Sequence, residues 1–220
     1  MKSATRICFF LIAVQVFLLN GCTTGVESSP SPGIVRVTLK SNEQDTLLII
    51  LGDTIRFSRG DHYDVTVGQG WLYRGDKYVV LYANTNIDRI GESYVNLIQR
   101  QWLDGRLILP SDSVFDVDAY KSRYVGETVF EWYVAPDTYD KLQFNLKGFE
   151  VFVARPRQFR NPLQLPDGTT AIMNFQQSIQ VDEGRVTQID LEIYPFQSIR
   201  RYKDSYLFDR KVKITRVQIL

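Results

Sequence analysis

Downstream of Gly33, apolar and polar residues alternate with a period of two, and this alternation restricts the possible folds more than any other feature of the sequence. A period of two places one set of side chains against a core and the other set in water, as in a half-buried β-strand. The clearest runs have these apolar positions: Val35, Val37 and Leu39; Tyr63, Val65 and Val67; Leu142, Phe144 and Leu146; Ile189, Leu191 and Ile193.

Glycine, proline and aspartate separate these runs and indicate turns, because glycine and, less readily, aspartate adopt the positive φ angles of tight hairpins. We expect turns at residues 68–70, 74–76, 104–105, 136–137, 166–168 and 183–184. The clearest hairpin candidate is Trp102-Leu103-Asp104-Gly105-Arg106-Leu107. Short strands with such turns predict an all-β fold, an antiparallel β-sandwich over residues 34–220. Whether residues 51–105 belong to this sandwich or form a separate subdomain is left open.

The start of the chain has a different composition. Lys2 and Arg6 precede an apolar run, Ile7–Leu19, which is shorter than the roughly 20 residues of a membrane-spanning helix and typical of a secretory signal. The run leads to Gly21 and Cys22, an arrangement that resembles the signal peptides of bacterial lipoproteins. The resemblance implies that residues 1–21 are removed after Gly21 and that Cys22 carries a lipid.

Residues 22–33 are small, polar and rich in proline and serine. Such a segment cannot bury enough apolar area to offset its ordering entropy, so we expect a flexible tether. The predicted location is the cell envelope, with the lipid most consistent with the outer membrane, on its periplasmic or surface face.

Charge and cysteine content exclude two classes of protein. Removal of residues 1–21 leaves 24 basic and 25 acidic residues, a net charge of −1. A nearly neutral domain lacks the basic surface that nucleic acid requires, so no nucleic-acid partner is expected. Cys22 would be the single remaining cysteine, so a disulfide scaffold is also excluded.

One segment, Val134–Phe144, resembles the signature of an uncharacterised family of bacterial and archaeal lipoprotein domains, whose members carry a Pro-x-Gly-x-Tyr turn before an alternating strand. The family's other strands are similar to Gly33–Leu39, Leu165–Gly168, Ile179–Gly184, Ile189–Leu191, Tyr206–Phe208 and Val212–Ile214. The match covers roughly residues 33–50 and 106–220. It implies an immunoglobulin- or transthyretin-like sandwich on a lipid tether, and it implies no chemistry.

Sites for a metal or for catalysis have little support. His62 is the single histidine, and we expect it in an exposed turn rather than in a zinc site or a catalytic triad. Asp112, Asp116 and Asp118 could offer calcium several oxygen ligands, but their spacing is that of the wet face of a strand. We therefore predict no enzyme activity, no metal and no cofactor.

Two Arg-Gly-Asp tripeptides, Arg59-Gly60-Asp61 and Arg74-Gly75-Asp76, could bind integrins if they were displayed at hairpin tips. The plainer interpretation is that a tight turn selects Gly-Asp.

Aromatic side chains offer a candidate ligand-binding surface. Trp71 and Tyr73 lie two positions apart, hence on one face of a strand, and Trp102 is a third candidate. Sugar-binding modules present such rings, although strands also use aromatic residues for packing. Trp132 and Tyr133 are adjacent and point to opposite sides, so one of them is expected in the core.

We therefore expect a lipid-anchored envelope protein with a non-enzymatic binding or structural role. Its partners would be the membrane, through the N-terminal lipid, and a polysaccharide or an envelope protein. Two alternatives are more specific: a carbohydrate-binding surface module, and an adhesin or pilus-like subunit that assembles through exposed edge strands.

Overall fold

The alternating runs form β-strands, and the strands form two sheets that pack against each other, which confirms the predicted all-β sandwich. The computed structural model describes residues 29–42, 44–45, 48–50, 53–55, 62–83, 93–97, 101–103, 106–108, 126–153 and 159–220. The strands in these ranges are β1 Gly33–Ser41, β2 Leu48–Ile50, β3 Asp53–Ile55, β4 His62–Arg74, β5 Lys77–Leu81, β6 Ser93–Asn96, β7 Gln101–Leu103, β8 Arg106–Ile108, β9 Glu127–Val134, β10 Asp137–Val153, β11 Phe159–Gln164, β12 Ile172–Val181, β13 Val186–Ile193, β14 Ile199–Tyr202, β15 Ser205–Phe208 and β16 Val212–Ile219.

The smaller sheet has the strand order β16-β13-β1-β9, and the larger sheet has the order β14-β15-β11-β10-β4-β5. Two further strands join the larger sheet, because β12 pairs with β10 and β6 pairs with β4. Both sheets are mixed rather than purely antiparallel, since β1 is parallel to β13 and β11 is parallel to β15. Alternation is the same in both orientations, so the sequence pattern does not reveal the strand direction.

The core lies between the two sheets and includes all the predicted apolar positions. All twelve residues of the four alternating runs are at most 1% exposed. Phe130 of β9 meets Phe144 of β10 across the sandwich, with ring centroids 5.8 Å apart. Burial of each such side chain contributes about 1.5–3 kcal/mol, so this layer is the main source of stability.

The turn expected at residues 68–70 is absent, because β4 continues through it. The register between β4 and β10 shifts here, with Val67 opposite Leu146 and Gly70 opposite Phe144, so β4 carries a bulge. A Cβ atom at Gly70 would lie 3.1 Å from Cζ of Phe130. Glycine is therefore favoured by the close approach of the opposite sheet, not by a reversal of the chain.

The chain crosses from one sheet to the other at residues 135–136, within the segment that resembles a lipoprotein-family signature. Tyr139 is buried, and its hydroxyl donates a hydrogen bond to the carbonyl oxygen of Ala135 at 2.9 Å. This bond fixes the corner between β9 and β10, as tyrosine corners do in other sandwiches.

Residues 31–220 form one compact unit. The sequence left open whether residues 51–105 belong to the sandwich. Most of their described parts, namely β4, β5 and β6, join the larger sheet and do not form a separate subdomain. β7 and β8 pair as an antiparallel hairpin, with Leu103 opposite Arg106, which confirms the predicted hairpin. No helix in the described ranges is long and apolar enough to cross a membrane.

Candidate functional site

The outer face of the larger sheet brings aromatic and amide side chains together. Strands β5, β4, β10 and β12 lie side by side, and their outward positions align in two adjacent rows. The intervening positions point inward: Leu72 and Leu142 are fully buried, and Val79 and Phe175 are partly buried against the core. One row is Tyr78, Tyr73, Lys141 and Gln176, and the next is Val80, Trp71, Gln143 and Asn174. We call these eight residues the aromatic–amide face.

The half of this face on β5 and β4 is aromatic. The rings of Tyr73 and Tyr78 lie 5.5 Å apart at an angle of 45°, and Tyr78 is 57% exposed. Trp71 is half-buried and lies opposite Val80. The Nζ atom of Lys141 lies 3.9 Å from the centroid of the Tyr73 ring, a cation–π contact. Aromatic surface is therefore held open to solvent in a defined orientation.

The half on β10 and β12 is rich in amides. Gln143 donates a hydrogen bond from Nε2 to Oδ1 of Asn174. Within the described ranges this bond uses one group of each amide, which leaves the oxygen of Gln143 and the NH₂ group of Asn174 for a ligand. Gln176 is exposed in the neighbouring row. An amide both donates and accepts, as a sugar hydroxyl also does.

Two of the three predicted ligand-binding residues, Trp71 and Tyr73, lie on one face, as the spacing indicated. The side chain of Trp102, the third candidate, lies outside the described part of the chain. The sequence analysis missed Tyr78 and the amides, because Gln143 and Asn174 look like ordinary wet positions until β4, β10 and β12 are placed in register.

A second aromatic pair lies where β5 ends beside β9. The rings of Tyr82 and Trp132 are 4.9 Å apart, and the side chains are 54% and 41% exposed. The expectation that either Trp132 or Tyr133 is a core residue is wrong, because Tyr133 is 67% exposed. Both residues lie on β9, an edge strand. Trp132 shares the inward side with the buried Phe130 and Val134 but is 41% exposed, whereas Tyr133 points outward.

The tip of the β4–β5 hairpin contains the tripeptide Arg74-Gly75-Asp76. Gly75 has a φ of 56°, and its N–H donates to Oδ2 of Asp140 at 2.7 Å. Arg74 forms a salt bridge with Asp137. This tripeptide is exposed at a hairpin tip. The turn accounts for its glycine, and the salt bridge with Asp137 engages its arginine; integrin binding stays a prediction. The other tripeptide, residues 59–61, lies outside the described residues.

The outer face of the smaller sheet contains mainly paired charges, with the exposed ring of Tyr133 on its edge strand β9. Asp190 accepts hydrogen bonds from Thr38 Oγ1 at 2.7 Å, Gln188 Nε2 at 2.8 Å and Arg216 Nε at 2.6 Å. A groove of about 580 Å³ runs over these side chains. We call the surface the ion-pair face; it comprises Arg36, Thr38, Glu131, Gln188, Asp190, Glu192, Lys213 and Arg216.

The ion-pair face shifts the pKa of its own carboxylates. Burial raises the pKa of Asp190, but the hydrogen bonds from Thr38, Gln188 and Arg216 and the charge of Arg216 outweigh it, so the pKa lies below its ordinary value. Glu192 behaves alike: burial raises its pKa, but the hydrogen bonds, chiefly from Lys213 and Asn42, and the charge of Lys213 lower it by more. Both carboxylates are therefore stabilised in their charged form by neighbours within the fold.

The described residues include no metal site for the remaining candidates from the sequence to belong to. In the part of the chain that the structure describes, no group of three His, Cys, Asp or Glu side chains could hold a metal ion. His62 begins β4 instead of lying in a turn, and its side chain is not described. Asp112, Asp116 and Asp118 lie outside the described residues.

No protein family, no curated protein and no solved structure matches this chain. The resemblance to a lipoprotein-domain family over residues 33–50 and 106–220 stays a prediction.

Proposed function

We propose that this chain is a lipid-anchored, non-enzymatic envelope protein that binds carbohydrate through the aromatic–amide face. One observation carries the proposal: the rings of Trp71, Tyr73 and Tyr78 lie beside the amides of Gln143 and Asn174 on one exposed sheet surface. A sugar ring has an apolar C–H face, which stacks on aromatic rings, and hydroxyl edges, which bind amides. Apolar surface with a few placed polar groups is the general composition of a ligand site.

The anchor rests on the sequence before the sandwich. Lys2, Arg6, the apolar run and Gly21-Cys22 support export and acylation, and residues 22–33 provide the tether. Mass spectrometry of the native protein should find an N-terminal lipid on Cys22. An intact, unmodified N-terminal extension would disprove the anchor without affecting the sugar site.

The sugar site is tested by titration of the purified domain with the glycans that it retains on an array. Trp71→Ala should weaken binding about tenfold, equivalent to about 1.4 kcal/mol, because a stacked ring is lost. Tyr133→Ala is the matched control, since Tyr133 is an exposed aromatic residue on β9, outside the face. Equal affinities for the two variants, or no retained glycan, would refute carbohydrate binding here.

The second candidate function is assembly through an edge strand, which β12 favours. Its ten residues include no charge, proline or glycine, and within the described ranges it pairs with β10. Natural edge strands normally contain charges or proline that prevent pairing with another chain. If β12 is an assembly edge, Ser178→Lys should shift an oligomer to monomer in light scattering, whereas Thr170→Lys, before the strand, should not.

A further inference from the structure

From the two rows of the aromatic–amide face we infer the class of ligand: a neutral polysaccharide that lies across the strands and is recognised over about three linked sugar rings. The inference rests on the proposed function and adds the length, direction and charge of the bound segment.

The length follows from the strand spacing. The face extends from Tyr78 on β5 to Gln176 on β12, across four neighbouring strands. Strands in a sheet lie about 4.8 Å apart, so the face is about 14 Å long from the first strand to the fourth. One sugar ring covers a fraction of that distance, and about three linked rings cover all of it.

The direction follows from the order of side chains along each row. Both rows begin with apolar or aromatic residues, Tyr78 and Tyr73 or Val80 and Trp71, and end on the amide side. A bound chain therefore stacks one ring over β4 and β5. Its continuation reaches Gln143, Asn174 and Gln176, where the amides meet hydroxyl groups.

The charge of the ligand follows from the charges in the two rows. Lys141 is the single charged residue in them, and its ammonium group lies over the ring of Tyr73. At the hairpin tip next to the face, Arg74 is neutralised by Asp137. Recognition of an acidic polysaccharide needs several converging cations. Amide groups instead form hydrogen bonds with hydroxyl groups. The surface therefore favours a neutral polysaccharide.

The experiment titrates the domain with neutral gluco-, xylo- and manno-oligosaccharides of two to six rings and with oligogalacturonate, at low and high sodium chloride. We expect affinity to rise up to about three rings and then to level off, with less than about a twofold change between the salt concentrations. Preference for oligogalacturonate with strong salt dependence would overturn the inference, and so would equal affinity for two rings and six.

A variant pair separates this inference from the proposed function. Asn174→Leu should weaken binding of the six-ring ligand about tenfold, whereas Gln177→Leu, an exposed amide on the same strand outside the rows, should not. Melting temperatures of both variants verify their folding. If Trp71→Ala abolishes binding while Asn174→Leu does not change it, the proposed sugar site stands. The inference that the polysaccharide lies across the strands and reaches the amides then fails. If the unaltered domain binds none of these oligosaccharides but retains another glycan on the array, this inference fails and the proposed function stands; if it also retains no glycan on the array, both fail.

Discussion

The two outer faces of the sandwich are built on the same β-sheet pattern but expose opposite kinds of surface. On the ion-pair face, polar groups bind one another: Asp190 engages three donors, and Lys213 contacts both Glu192 and Tyr194. On the aromatic–amide face, no described residue covers the rings of Trp71 and Tyr78 with such polar contacts, and Tyr78 is 57% exposed.

The difference shows how function and stability are divided in this fold. A polar surface whose groups are already paired gains little by binding a ligand, because each new bond replaces an existing one. An exposed aromatic row with open amide groups gains from both stacking and hydrogen bonding. We therefore expect substitutions on one face to change stability and substitutions on the other to change binding.

The largest effect is expected for simultaneous replacement of Trp71 and Tyr73 by alanine. Loss of two stacked rings should weaken polysaccharide binding about 100-fold, equivalent to about 2.8 kcal/mol. The urea midpoint should fall because Trp71 and Tyr73 are half-buried, but it should fall less than in Phe144→Ala, whose side chain is fully buried. A collapse of stability equal to that of a core variant such as Phe144→Ala would remove the contrast between the faces.

The next effect concerns stability. Asp190→Ala should lower the free energy of unfolding by about 2 kcal/mol, because Gln188, 7% exposed, and Thr38 lose a charged acceptor. Urea denaturation measures the change. Asp190→Asn, which keeps an acceptor oxygen, should lose less. Glycan binding should be the same in all three proteins, and a weakened affinity would mean that the two faces are coupled.

A smaller effect is expected at acid pH. The folded pKa of Asp190 lies below its ordinary value of 3.8, so its contribution to stability is complete above that value and is lost as the pH falls through the folded pKa. The stability of the unaltered protein should therefore decline more steeply below pH 3.8 than that of Asp190→Asn. Parallel pH curves for the two proteins would contradict the assignment.

The smallest effect is expected at the rim of the ion-pair face. Arg36 and Glu131 pair at 2.5 Å, but their side chains are 35% and 43% exposed. Arg36→Ala should cost about 0.5 kcal/mol or less, and the difference should vanish in high salt. A loss of unfolding free energy as large as that of Asp190→Ala would show that solvent exposure does not determine how much each ion pair contributes to stability.

Much of the fold was predictable from local sequence. Where the prediction was wrong, the reason is physical. Val35, Val37 and Leu39 are buried as the alternation requires. Residues 68–70 mislead, because glycine serves a turn and a close sheet contact equally well. The parallel pairing of β1 with β13 is likewise invisible, since alternation does not encode strand direction.

The candidate site was partly predictable. The spacing of Trp71 and Tyr73 places them on one face by the geometry of a single strand. Tyr78 joins them through a short hairpin, whereas Gln143 and Asn174 come from strands far along the chain.

The sequence by itself determined that this chain forms strands, which side of each strand is buried and where several hairpins turn, because these properties depend on neighbouring residues. Tertiary structure alone decided which strands are neighbours, in which direction they run and which outward side chains share a surface. Those properties depend on register between distant segments, and register is set by the packing of the whole core.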